Sequence, residues 1–96
     1  MEYNIDRGQL AAHDKTLVPG EVDTVSFDED PREIEVVTDG TAKLYVTVDG
    51  SEPTISGSNT HVLPAVVSVR KIVHAHNPAP VKLISSGAVT YSVARG

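Results

Sequence analysis

The chain has 96 residues, with Lys+Arg 8 against Asp+Glu 13, a formal charge of −5 and no cysteine. That length holds one domain with a modest core, and the missing cysteine excludes disulfides, thiol catalysis and cysteine-ligated zinc. The acidic balance and scattered cations argue against nucleic-acid binding; a composition 40% hydrophobic and 22% charged argues against disorder; and no run of about 18 apolar residues is present to form a membrane-spanning helix. The polar, acidic opening Met1–Asp6 lacks the basic and apolar regions of a signal peptide. The chain is therefore expected to be a complete small gene product of an intracellular or virion setting.

In chain order, residues 1–20 stand apart. Their apolar members Tyr3, Ile5, Leu10, Leu17 and Val18 are irregularly spread, and Val18-Pro19-Gly20 closes the stretch with turn chemistry. The segment reads as an N-terminal arm that stays extended or lies on a surface, a disordered terminus being the alternative. Burial of Leu10 and Leu17 would then require a neighbouring subunit or partner. The five apolar residues are accordingly the candidate partner-binding set, and deletion of residues 1–14 is expected to leave the remaining fold intact.

From residue 21 the pattern has period two. Glu21–Phe27 is rich in β-branched residues, and Asp28-Glu29-Asp30-Pro31 breaks it. Ile34 and Val36 share one face of the next strand, and Asp39-Gly40 signals a hairpin. In Ala42–Val48, Leu44, Val46 and Val48 point one way and Lys43, Tyr45 and Thr47 the other. Asp49–Thr54 is a turn that leads into a polar loop to Asn59. Thr60–Pro64 reads as a short edge strand and Val66–Val73 as a longer one. After the stiff Asn77–Pro80 loop, Val81–Ser85 and Ala88–Ala94 form a last pair joined through Ser86-Gly87. Seven or eight short strands at this spacing predict an all-β fold, an antiparallel β-sandwich that is immunoglobulin-like or jelly-roll-like, spanning residues 21–96.

Chemistry-bearing constellations are thin. His74-Ala75-His76 places two imidazoles on one strand face, but a metal site needs three or four ligands. Asp28-Glu29-Asp30 lacks the spacing of a calcium loop, and Ser51 lacks the glycines of a nucleophile elbow. With no acid–base pair or cofactor fingerprint, the chain reads as a binding or structural module without enzyme activity, cofactor or metal. A carbohydrate-binding module is one alternative, with Tyr45 as its outward ring beside Lys43 and Thr47.

The stretch Leu44–Thr54 contains Asp49-Gly50-Ser51-Glu52-Pro53-Thr54 after a strand, a segment that resembles two families. One is the chitobiase C-terminal immunoglobulin-like domain of bacterial polysaccharide-acting enzymes. The other is a class of small β-sandwich proteins from the structural gene clusters of tailed phages of actinobacteria. The second likeness extends through His61-Val62-Leu63-Pro64-Ala65 and through Val81–Ser85 to Tyr91-Ser92-Val93, covering about residues 42–95. It implies a virion structural protein on the capsid surface, made in the host cytoplasm: a capsid decoration or cement protein, with a minor tail protein as the alternative. The implied partners are the major capsid protein and copies of the chain itself in a homo-oligomer, a trimer being one candidate, with neither nucleic acid nor membrane. In the motif, Asp49, Gly50, Ser51, Pro53 and Thr54 have a structural reading as a tight turn and its exit.

Overall fold

A computed structural model describes residues 1–28, 33–55, 57, 60–73 and 79–95. Nine strands run in order: β1 (Glu2–Ile5), β2 (Ala11–Leu17), β3 (Asp23–Phe27), β4 (Glu33–Thr38), β5 (Leu44–Thr47), β6 (His61–Leu63), β7 (Ser68–Val73), β8 (Val81–Ile84) and β9 (Val89–Arg95). They form a five-stranded sheet in the order β1-β3-β8-β5-β6 and a four-stranded sheet in the order β2-β9-β4-β7. All-β architecture in two packed sheets follows from the period-two patterning, and the strands expected from residue 21 onward lie within a few residues of their predicted positions.

The pairing is nested. β5 pairs with β6, β4 with β7, β3 with β8 and β2 with β9, each antiparallel. This is one long hairpin rolled onto itself, the jelly-roll arrangement. An immunoglobulin-like sandwich keeps several consecutive strands in one sheet; here β5 and β6 alone do so. Two local expectations change accordingly. Asp39-Gly40 turns the chain from one sheet to the other instead of closing a hairpin, and β8 and β9 lie in opposite sheets instead of pairing. Both turns were legible as turns, but turn chemistry does not say which sheet the next strand joins.

The core lies between the sheets. Ile5, Val25, Leu44, Val46, Leu63, Val81 and Leu83 face Leu17, Ile34, Val36, Ile72, Val89, Tyr91 and Val93. The N-terminal arm is not found. Residues 2–5 pair in parallel with β3, and residues 11–17 pair with β9. The missed signal is physical: β2 is interrupted by a bulge at His13-Asp14, where Asp14 has φ 54°, so its inward residues Ala12 and Leu17 fall out of strict alternation.

Tyr91 and Asp23 tie the two sheets together. The Tyr91 hydroxyl donates to Asp23 Oδ2 at 2.8 Å, and Asp23 Oδ1 accepts from the Met1 amino group at 3.1 Å. Burial first, then the hydrogen bond to Asp23 and its charge, pushes the Tyr91 phenol well above the usual tyrosine range. Below about pH 10 the tyrosine is protonated in both folded and unfolded chains. Above that pH the unfolded chain releases the proton while the folded chain holds it, so stability falls as pH rises toward the folded value. The expected slope is about 1.4 kcal/mol per pH unit for this one proton. Tyr91→Phe should remove that component of the slope between about pH 9 and about pH 11. At neutral pH it should cost about 1–3 kcal/mol, because the buried Asp23 loses its donor. Urea titrations of both proteins across that range check both effects; parallel slopes would refute the assignment.

Candidate docking surface

The partner-binding residues expected from the sequence do not converge. Ile5 and Leu17 are buried in the chain's own core, and Tyr3 is half-buried with the Lys15 ammonium 4.6 Å from its ring centre. Leu10 and Val18 are exposed but stand at opposite ends of β2. The five therefore make no common surface.

The Asp49–Thr54 motif is a locked turn. Gly50 has φ +83°, which a glycine adopts without strain, and Asp49 Oδ1 accepts from the Ser51 backbone N–H at 3.0 Å and from its hydroxyl. The Ser51 hydroxyl and then its N–H hold the Asp49 carboxyl below its usual range. Thr47 Oγ1 donates to the Ser51 carbonyl at 2.6 Å, and Lys82 Nζ to Glu52 at 2.6 Å. These bonds fold the loop back over the outer side of β5 and β8. Tyr45 and Ile84, which pair on that side, are buried, and so is Pro53. Tyr45 is 7% exposed and offers no ring for a sugar to stack on. β5 alternates as expected, but both of its faces are buried, the second beneath the loop.

Asp28 is also occupied, accepting from Asn4 Nδ2 and from the Arg7 backbone N–H. Glu29, Asp30 and the His74-Ala75-His76 pair lie outside the described residues. Among the described residues, no three His, Asp or Glu side chains gather as a metal site would require.

The surface that does assemble is the outer face of the four-stranded sheet. Alternation sends Ile34, Val36, Tyr91 and Val93 inward, so their neighbours point out. Register aligns those neighbours in rows across the strands. Ala11, Ala94, Glu35 and Lys71 form one row, and Ser92, Val37 and Val69 the next. Thr16 and Thr90 stand opposite each other, their hydroxyls 3.4 Å apart. Past Glu35 and Lys71 the face carries Val37, Val69, Ser92, Thr16 and Thr90, with the bulge residue Asp14 beside Ser92. An open concavity of about 300 Å³ lies at its far end, lined by Asp14, Val37, Asp39, Val67, Thr90 and Ser92. The Asp39 carboxylate there accepts from the Thr41 N–H at 3.0 Å, which holds its carboxyl below the usual range.

At the β7 side this face runs into exposed valines. Val66 is 58% exposed, Val67 78% and Val69 56%. Sequence reasoning placed all three in a strand without separating exposed from buried positions. The signal available was the break at Pro64, which delays the strand to Ser68 and leaves Val66-Val67 on a corner between sheets. The corner is held from behind by Gly40, which has φ +79°. A Cβ there would overlap the Val66 carbonyl carbon and the Val67 nitrogen.

In comparisons with known proteins, no family, no curated sequence and no solved structure matches this chain.

Proposed function

We propose that the chain is a virion structural protein of a tailed phage, a capsid decoration protein that docks on the capsid surface and stabilises it. The observation that carries this reading is the outer face of the four-stranded sheet, bordered by the exposed Val66, Val67 and Val69. Exposed apolar side chains grouped at one border mark a protein-docking surface, since burying each is worth about 1.5–3 kcal/mol. A sheet face lets another protein approach several strands at once. The resemblance of Leu44–Thr54 to small phage structural proteins supports the setting, and jelly rolls are one of the architectures that build viral capsids, a likeness of fold alone. In this reading the partners are the major capsid protein and further copies of the chain, and the role is non-catalytic.

The test is to disrupt the gene in the phage that encodes the protein and to add the purified chain back to the heads. Heads without it are expected to release DNA at a lower temperature, and re-addition to restore the original value. Unchanged heat resistance, or a chain that fails to sediment with heads, would overturn the proposal.

A further inference from the structure

We propose that β7 is an open sheet edge that accepts an extended, acidic segment of the partner protein as an added strand. This rests on the docking reading above and names the chemistry of what docks. A jelly roll has four sheet edges, and among the described residues three are blunted. β1 is four residues long, β6 is three, and β2 carries the bulge at His13-Asp14. Short and bulged edges resist pairing with other chains. β7 differs on each count. It is six residues long, pairs with β4 over all six without a register shift, and is the last strand of its sheet. Among the described residues no strand pairs with its outer edge, which therefore presents a regular row of backbone donors and acceptors that an extended segment matches along its length.

The side chains on this edge define the occupant further. Val67 and Val69 line the outer face beside it and favour apolar residues at alternate positions of an added strand. Arg70 and Lys71 are both exposed, and they are the only adjacent cations in a chain of net charge −5. Lys71 lies on the outer face with Val69. Arg70 lies on the opposite side of the strand, where its charge, after burial, helps lower the His61 pKa on β6. β7 thus carries one cation on each surface and no acidic residue of its own, with Glu35 opposite Lys71 and apolar Val36 opposite Arg70 on β4, which complements an acidic strand on the free side. The same charges disfavour a second copy, because antiparallel pairing of two β7 strands would bring four cations together.

The probes are two eight-residue peptides, one alternating valine with glutamate and one alternating valine with lysine. Hydrogen exchange and titration on the intact chain give the readout. The Val/Glu peptide is expected to slow exchange at alternate β7 amides and to bind about tenfold more tightly than the Val/Lys peptide. Added salt should narrow the gap. R70E/K71E is expected to reverse the preference; should it fail to fold, R70Q/K71Q should abolish it. Equal binding of the two peptides, no protection in β7, or salt-promoted self-association protecting β7 would each overturn the proposal, the last by making a second copy the occupant. Peptide binding by a chain that leaves capsid stability unchanged would sink the decoration role alone. Capsid binding without β7 protection would sink the edge alone.

Discussion

Deletion of residues 1–17 is expected to abolish the cooperative unfolding transition. The deletion removes β1 and β2, and with them Ile5, Ala12 and Leu17 from the core. It also strips β9 of its partner on one side, leaving the long closing strand of the sheet as a new edge. Full burial of Ile5 and Leu17 is worth about 1.5–3 kcal/mol each. A domain of this size has a total stability of roughly 5–15 kcal/mol, so the loss consumes much of it. Leu17→Ala alone should cost about 2–5 kcal/mol, whereas Leu10→Ala, at an exposed position, should change stability by no more than about 0.5 kcal/mol. Circular dichroism and urea denaturation of the three variants check this. A truncated chain with a sharp transition would show that the first two strands are dispensable.

Gly40→Ala is expected to be the most damaging single methyl group in the described chain. Two independent terms act there. A φ of +79° strains any residue with a Cβ, at about 1–3 kcal/mol. The Cβ would also overlap the backbone joining Val66 and Val67, which cannot rotate away as a side-chain tip can. Overpacking of this kind costs about 1–3 kcal/mol more. Gly20→Ala is the control. Gly20 has a comparable φ of +79° with nothing within 4 Å of the added atom, so it carries the first cost without the second. The difference in unfolding free energy between the two variants measures the contact at the corner. Equal losses would show that the corner yields freely.

Much of the architecture is legible in the sequence, and what is not has identifiable causes. From Asp23 onward, β-branched alternation marked the strands, because alternation reflects a sheet with one wet and one dry side. It failed at β2, where the bulge breaks the period, and it under-described β5, where a loop dries the second side. Sheet membership was beyond local reasoning. The residues of Asp39-Gly40 dictate a positive φ but not whether the chain returns to its neighbour or crosses to the facing sheet. The docking surface was least legible. Val66, Val67 and Val69 are the same residue type as buried Val25 and Val81; Val69 points to the outer face of β7, and Val66 and Val67 lie on the corner before it. The turn motif was the opposite case, since Asp49 and Ser51 act on each other across two positions.

The nested pairing also dictates a timetable for folding. The innermost pair, β5 with β6, can form from nearby segments, but each surrounding pair joins partners farther apart along the chain. In the outermost pair Thr16 meets Thr90, 74 positions away. At about 5–20 residues per second, a ribosome needs on the order of 4–15 seconds to bridge that interval, whereas a finished chain with such distant contacts folds in milliseconds to seconds. Completion therefore awaits the emergence of β9 from the exit tunnel. Until then Ile5 and Leu17 have no sheet to cover them. Interrupted translation products, rather than the mature protein, are the species most prone to aggregate.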